Sequence, residues 1–160
     1  EDVQFWTTQQ ESFKDILVEH IDKAQESIYC SVYKFTRKAY YKAFKRALER
    51  DVDVFLLADP TENESSSSYV NKLKEKGANV RWWNNKKLPK LHGKMYIFDV
   101  DQAAITGSPN LTSASGLEYF LLFTSTGVVS AMGSEMIELW DQSSEEFIQP
   151  ESGQLTSPTK

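Results

Sequence analysis

The sequence predicts an α/β protein in which a mixed, mostly parallel β-sheet is flanked by helices on both faces. Apolar residues recur at helical spacing in some segments and at strand spacing in others. A strand–helix–strand unit of about 30 residues ends at Ala58, which predicts a parallel crossover. The 160 residues, 40% of them hydrophobic, suffice for one domain with its own core.

The first half of the chain alternates helix and strand. A capping box, Thr8-x-x-Glu11, precedes apolar residues at helical spacing, which predicts a helix to about Gln25. The segment Ser27–Phe35 is largely apolar on both faces, as in a central strand covered by helices. A second amphipathic helix and a buried strand over 52–58 complete the crossover unit.

The second half has shorter elements. A polar loop, a helix and a short strand are predicted over 61–68, 69–76 and 79–83. They are followed by two strands joined by a turn, a further strand and a closing helix, over 95–98, 103–106, 116–125 and 129–147. We expect residues 150–160 to form a disordered tail, so that residues 1–149 make a single domain.

Polar residues surround the predicted hairpin at 95–106. His92 and Lys94 precede its first strand and share a face, because side chains alternate along a strand. The loop Gly107–Asn110 follows its second strand and therefore returns to the side of His92. An imidazole, an ammonium, a hydroxyl and a carboxamide would meet there. Such a set suits chemistry at a phosphate ester, in which a nucleophile or acid is surrounded by donors.

The spacing of these residues resembles a known signature. His92-x-Lys94-x4-Asp99, followed by Gly107-Ser108-x-Asn110, is similar to the HKD motif of the phospholipase D superfamily. The similarity is to its small, single-motif endonuclease branch, although this chain has one residue more than usual between the Asp and the Gly. That residue falls in the turn, where insertions are tolerated. The resemblance implies a phospholipase D-like fold with one HKD motif per chain, acting without a divalent metal.

Catalytic roles can be assigned to the motif residues. His92 is expected to attack phosphorus, while Lys94, Asn110 and Ser108 hold the non-bridging oxygens. Glu118 opens a predicted strand and is expected to accept a hydrogen bond from His92, as the orienting acid does in a triad. The resemblance implies an acidic residue at about this point. The alternative for Glu118 is a carboxylate at a strand end, exposed to water.

Other residues are expected to be structural. Asp99 lies opposite His92 by alternation, which predicts a bond to backbone or lysine, and Gly107 belongs to the motif loop. His20 falls on the apolar stripe of the first helix. Since no second histidine is placed to act as the acid, we expect a two-fold homodimer that brings His92 of each chain to one site. The resemblance implies the same arrangement.

We expect neither a metal nor a cofactor. Cys30 is the only cysteine, so a thiolate metal site is disfavoured, and its apolar surroundings predict a buried thiol. The acidic residues at strand ends are scattered, and no carboxylate or His/Cys cluster stands out.

Charge is unevenly distributed. The net charge is −5, yet residues 72–94 carry eight basic residues and one acidic, a local +7. Next to the motif, this stripe favours a phosphate-backbone footprint, and the alternative is a solvated helix face with a lysine-rich loop. The residues expected to bind substrate are Arg81, Trp83, Lys86, Lys87 and Lys90. Trp83 and its neighbour Trp82 either stack on a base or pack in the core.

Three functions remain open from the sequence. The first is a nuclease acting on single- or double-stranded DNA or RNA. The second is a lipid phosphodiesterase, for which Trp82, Trp83 and Leu88 are the only apolar rim. The third is a nucleic-acid-binding module without catalysis, which the intact His92 and Lys94 disfavour. No apolar run approaches the ~20 residues of a membrane span, so we expect no stable membrane association.

The compartment stays open. The chain begins at Glu1 and not at Met, which is compatible with a removed targeting segment and a periplasmic or secreted location.

Overall fold

The computed structural model describes residues 2–113 and 116–149, so the predicted tail at 150–160 lies outside the described residues. Over these residues the chain forms seven strands and five helices. The strands are β1 (Val3–Thr7), β2 (Ser27–Val32), β3 (Asp53–Ala58), β4 (Asn79–Trp82), β5 (Met95–Phe98), β6 (Ala103–Gly107) and β7 (Tyr119–Phe123). The helices are α1 (Phe13–Lys23), α2 (Lys38–Glu49), α3 (Pro60–Asn63), α4 (Val70–Glu75) and α5 (Thr126–Asp141).

The described strands form one mixed sheet in the order β1-β7-β6-β5-β2-β3-β4. The α/β class and the parallel crossover from β2 to β3 are confirmed. The prediction of a mostly parallel sheet is wrong, because two strand pairs are parallel and four are antiparallel. The antiparallel pairs are those of the β5–β6–β7 meander, the pairing of β5 with β2, and the pairing of β1 with β7 at the edge.

Helices cover both faces of the sheet, as predicted. On one face, α1, α2 and α4 bury residues such as Leu17, Phe44 and Leu73 against the sheet. On the other face, α5 buries Val129 and Met136. No helix in the described part of the chain is long and apolar enough to cross a membrane.

The chain enters α1 differently from the sequence prediction. Ser12, not Thr8, is the N-cap, and its hydroxyl accepts a bond from the Asp15 N–H at 3.2 Å. The Thr8 hydroxyl instead donates to the Gly116 carbonyl at 2.7 Å and accepts from the Glu118 N–H at 3.0 Å. Thr8 therefore joins the end of the unpredicted strand β1 to the segment before β7.

The motif residues around His92 lie at one end of the sheet. Strands β2, β3 and β6 finish there, and β5 and β7 start there, so their flanking loops meet at this edge. The turn from Asp99 to Gln102 lies at the opposite end of the β5–β6 hairpin. The additional residue of the motif is accommodated in that turn, far along the hairpin from His92.

Candidate active site

The backbone around His92 and Lys94 is clamped from both neighbouring strands. The Ser31 hydroxyl on β2 donates to the Gly93 carbonyl at 2.9 Å and accepts from the Met95 N–H at 3.0 Å. From β6, the Thr106 hydroxyl donates to the Lys94 carbonyl at 2.6 Å. These side-chain bonds fix the segment just before β5 begins, where the regular sheet ladder has not yet started.

A buried carboxylate fixes the chain one residue before His92. The Asp59 side chain accepts from the Leu91 N–H at 2.9 Å and from the Glu62 N–H at 3.0 Å, so it also caps α3. Burial raises the pKa of Asp59, and the bonds from Leu91 and Glu62 oppose that rise. Asp59 thus links the end of β3 to the approach to His92.

His92 and Lys94 lie close together, as the motif predicts. The Lys94 Nζ is 3.4 Å from both ring nitrogens of His92. The His92 ring is exposed to solvent and stands edge-on to Tyr33, with ring centres 4.6 Å apart and planes at 62°. The Lys94 ammonium is 5.3 Å from the centre of the same tyrosine ring. Tyr33, which follows β2, therefore contacts both motif residues.

Lys94 is an unusually buried cation. Lys94 is only 6% exposed, and among the described residues no carboxylate oxygen lies within 4.0 Å of its ammonium. Burial lowers the pKa of Lys94, while the Glu118 carboxylate acts in the opposite direction and Lys34 adds to the lowering. A buried ammonium without a direct counter-ion is suited to an anionic ligand.

Glu118 reaches the site without the predicted contact to His92. In the part of the chain that the structure describes, no hydrogen bond joins the two side chains. Glu118 is half-buried at the start of β7 and acts on the charge of Lys94. The Lys94 ammonium, on which the Glu118 carboxylate acts, is 3.4 Å from both imidazole nitrogens.

The two polar residues of the motif loop differ in how far their bonds are satisfied. The Ser108 hydroxyl accepts from the Tyr119 N–H at 3.1 Å, and the Ser108 N–H donates to the Tyr119 carbonyl at 2.9 Å. Ser108 thus extends the β6–β7 pairing. In contrast, the Asn110 Oδ1 is buried and has no partner among the described residues. An amide oxygen only accepts hydrogen bonds, so a phosphate would be bound through the Nδ2 group of Asn110 and not through this oxygen.

Asp99 and Gly107 have architectural roles, as predicted. The Asp99 carboxylate accepts from the N–H groups of Gln25 (3.0 Å), Glu26 (2.7 Å) and Ser27 (3.2 Å), which tie the start of β2 to the far turn. A Cβ at Gly107 would overlap the Tyr119 carbonyl and lie 2.7 Å from the Phe120 Cα. Glycine is therefore required where β6 passes β7.

The basic loop before His92 is folded, with its lysines outward. Asn85 Oδ1 accepts from the N–H groups of Lys87 and Leu88 at 2.9 Å. Trp83 Nε1 donates to the Leu88 carbonyl at 2.6 Å. The side chains of Lys86, Lys87 and Lys90 are exposed, as substrate contacts would need to be.

Two predicted substrate contacts are not placed for that role. Trp83 is 6% exposed and packs under α5, so the packing alternative holds for it, and Trp82 is buried on the opposite face. Both faces of the sheet are covered here, which leaves neither ring available for stacking. Arg81 donates to the Trp140 carbonyl at 2.8 Å and lies 3.8 Å from Glu145, so it is engaged with α5.

No metal-binding cluster is visible over residues 2–113 and 116–149. No group of three or more His, Cys, Asp and Glu side chains there is positioned to hold an ion.

Comparison with known proteins identifies the family. Residues 17–140 match the family model described as "Cardiolipin synthase, PLD-like domain", and the chain therefore belongs to the phospholipase D superfamily. No curated protein matches the sequence.

Solved structures agree with this assignment. Nuc from Salmonella typhimurium, a phospholipase D family member, is 26% identical with a TM-score of 0.78, and the match covers 88% of this chain and 95% of Nuc. NucT from Helicobacter pylori shares the fold at 20% identity and TM-score 0.80, covering 89% of this chain and 97% of that one. Phosphatidylserine synthase from Haemophilus influenzae shares the fold at 14% identity and TM-score 0.69, covering 98% of this chain and 41% of that one.

Proposed function

We propose that this protein is a metal-independent phosphodiesterase that cleaves DNA or RNA with little sequence specificity, with His92 as the nucleophile. One observation carries the proposal. The solvent-exposed imidazole of His92 lies beside the buried Lys94 ammonium, 3.4 Å from Nζ to each ring nitrogen. The ammonium would bind a non-bridging phosphate oxygen and hold phosphorus next to the imidazole.

The reaction proceeds in two displacements. An unprotonated nitrogen of His92 attacks phosphorus, a P–N bond forms, and the bond from phosphorus to the leaving oxygen breaks. A general acid gives that oxygen its proton. Water, deprotonated by the same group, then attacks phosphorus and releases His92. Lys94 and the amide of Asn110 offset the charge on the non-bridging oxygens in both steps.

We expect the general acid to come from a second copy of the chain, because the described residues of one chain place no second histidine at the site. Over the described residues the other histidine is His20, whose Nδ1 is 2.9 Å from the Ile16 carbonyl and whose ring packs 5.7 Å from that of Phe98. It is therefore part of the α1 packing. A two-fold homodimer that places a second His92 opposite the first would supply the acid.

An exposed apolar surface supports self-association. Val3, Phe5 and Tyr119 are exposed on the edge strand β1 and its neighbour β7, and the rings of Phe5 and Tyr119 are 6.0 Å apart. Leu117 is also exposed, and together with Tyr119 it flanks Glu118 of the candidate site. A second copy seated on this surface would therefore bury apolar side chains next to the site.

Nucleic acid is the substrate class that the surroundings favour. The exposed Lys86, Lys87 and Lys90 precede His92 along a folded loop and would contact phosphates. The lipid alternative needs an apolar rim. With Trp82 and Trp83 buried, Leu88 is the one exposed member of the rim that the sequence suggested. The non-catalytic alternative is disfavoured by the intact pairing of His92 with Lys94.

A gel assay in EDTA tests the proposal. Single- and double-stranded DNA and RNA are incubated with the native protein and with His92→Ala, and a headgroup-release assay on phospholipid vesicles runs in parallel. Cleavage of nucleic acid by the native protein alone is expected. Activity that requires added metal contradicts the mechanism, and headgroup release without nucleic-acid cleavage points to the lipid substrate.

Sedimentation velocity tests the shared site. A dimer is expected at the concentrations at which the protein cleaves. A monomer with full activity contradicts a site completed by a second His92.

A further inference from the structure

A cavity of about 350 Å³ opens beside the candidate site, where the N-terminal ends of α1 and α2 meet the loop after β6. We call it the Arg37 cavity. Its polar lining includes Lys14, Arg37, Asn110 and Glu118. Asn110 and Glu118 also belong to the candidate site, so the cavity borders the place where the scissile phosphate would bind.

Arg37 differs from the other arginines in having no carboxylate within 4.0 Å among the described residues. Among the described residues, Arg46 and Arg50 lie within 4.0 Å of Asp22, and Arg81 lies 3.8 Å from Glu145. No such partner is found for Arg37 among the same residues. Its guanidinium instead lies 5.9 Å from the centre of the Tyr40 ring. A guanidinium held by an aromatic ring and free of a counter-ion is prepared for a phosphate.

The acidic groups near the cavity are already matched by other cations. Lys14 Nζ is 2.8 Å from the Asp15 carboxylate. The Glu118 carboxylate acts on the buried Lys94. Lys14 is the main cause that lowers the pKa of Asp15, and Arg37 adds a smaller effect from farther away, so Arg37 has a distant carboxylate but none within 4.0 Å among the described residues.

The start of α2 adds to this charge. Arg37 occupies the N-cap position, and no side chain caps the helix. The positive end of the α2 helix dipole is therefore not offset by a capping side chain at the residue that carries the guanidinium.

We propose that the Arg37 cavity binds a second phosphate of a polynucleotide, the one next along the strand from the phosphate at His92. This inference rests on the proposed function. Two consecutive phosphates would then be held at once, by Lys94 at the reacting position and by Arg37 at its neighbour. The cavity gives the enzyme a reason to prefer a chain over a small diester, because a small diester has no neighbouring phosphate to offer.

The test compares two substrates and four proteins. The kcat/KM values for bis(p-nitrophenyl) phosphate and for a single-stranded oligonucleotide are measured for the native protein, Arg37→Gln, Arg37→Lys and Arg46→Gln. Arg46 is the matched control, since it lies on the same helix but pairs with Asp22. Circular dichroism confirms that each variant is folded.

Arg37→Gln is expected to lose at least about tenfold more activity on the oligonucleotide than on the small diester, because a charge-assisted contact is removed from only one of them. Arg37→Lys should recover part of that loss, and Arg46→Gln should resemble the native protein on both substrates. Equal losses on the two substrates for Arg37→Gln overturn the inference.

A binding measurement separates this inference from the proposed function. If the native protein cleaves neither diester, the proposed function fails, and the affinity for a fluorescent oligonucleotide is then measured at several salt concentrations. Arg37→Gln should reduce the slope of log K against log salt by about one, because one phosphate contact is lost. A slope unchanged from that of the native protein overturns the second phosphate site.

Discussion

The two ends of the β5–β6 hairpin treat their charged motif residues in opposite ways. At one end, Lys94 is buried and, among the described residues, has no carboxylate within 4.0 Å. At the other end, Asp99 accepts bonds from three consecutive backbone N–H groups, those of Gln25, Glu26 and Ser27. A charge satisfied by the backbone contributes to folding, whereas a buried charge without a partner opposes folding and remains available to a ligand.

This contrast separates residues that belong to the same signature. Membership of the motif does not distinguish chemistry from architecture, but the state of the hydrogen bonds does. Ser108 and Asn110 repeat the contrast within one loop, because Ser108 is bonded to Tyr119 and the Asn110 oxygen has no partner in the described residues. Substitutions at the two ends should therefore affect different measurements.

The largest effect is expected at His92. His92→Ala should lower kcat by about 10⁴-fold or more, because the nucleophile is lost, and should leave the melting temperature nearly unchanged, since the ring is exposed. His20→Ala is the matched control and should do the reverse, because that ring packs on Phe98. Cleavage rates and thermal denaturation measure both. A His92→Ala protein that still cleaves would remove the imidazole from the mechanism.

Lys94→Met should separate activity from stability. The apolar side chain keeps the volume and removes the charge, so kcat/KM should fall by about 10²- to 10³-fold. The free energy of unfolding should rise by on the order of 1 kcal/mol, because a buried charge without a close partner is gone. Urea denaturation measures the second effect. A destabilised Lys94→Met protein would show that the ammonium supports the fold.

The pH dependence sharpens the same point. Burial lowers the pKa of Lys94 in the folded protein below the ordinary 10.5. Its charged form therefore opposes folding at neutral pH, and this opposition fades as the pH rises from the lowered pKa of the folded protein to the ordinary value of the unfolded chain. The stability difference between Lys94→Met and the native protein should shrink over that rise. The cleavage rate should begin to fall before the pH reaches 10.5, because Lys94 loses its proton at a lower pH than an ordinary lysine. A cleavage rate that stays unchanged up to pH 10.5 would contradict the assignment.

At the end of the β5–β6 hairpin opposite His92, Asp99→Ala should reduce stability and leave the cleavage rate unchanged. Removing the acceptor of three backbone N–H groups should lower the free energy of unfolding by about 1.5–3 kcal/mol. The folded variant should cleave at the native rate. Asp101→Ala, in the same turn, is the control and should change stability little, because its carboxylate contacts the exposed Gln102 side chain. Loss of activity in a folded Asp99→Ala protein would link the two ends.

The smallest effect is expected one residue further on. Val100 is 63% exposed and has a φ of 69°, a left-handed conformation that a β-branched residue adopts with strain. Val100→Gly should raise the free energy of unfolding by about 0.5–1 kcal/mol, after allowance for the greater entropy of the unfolded chain. Val128→Gly, at a 40% exposed helical position, should lower it by about 1 kcal/mol. Thermal melts compare the two, and equal signs would contradict the assigned strain.

Periodicity predicted most of the fold and missed its outer strand. The crossover unit, the hairpin and the closing helix follow from patterns of apolar residues that are buried on one or both faces. Strand β1 lacks such a pattern, because Val3, Gln4 and Phe5 are all exposed. It is a strand because its backbone pairs with β7, more than a hundred residues later, and this pairing is invisible to local sequence.

The residues of the site also divide into those that the sequence predicted and those that it missed. The motif located His92, Lys94 and Asn110, but the residues that position them follow from the order of strands in the sheet. Tyr33 and Asp59 stand at the ends of β2 and β3, and a signal was present, since parallel neighbours finish at one edge. Trp83 was ambiguous because its partner helix comes much later in the chain.

Trapping of a covalent intermediate tests the central claim most directly. The native protein is mixed with a phosphodiester substrate at acidic and neutral pH, quenched within milliseconds to seconds, digested and analysed by mass spectrometry under conditions that preserve phosphoramidates. We predict a phosphorus adduct on the peptide that carries His92, formed and lost at rates consistent with turnover and missing from His92→Ala. Turnover without any adduct, or an adduct on another residue, would contradict nucleophilic catalysis by His92.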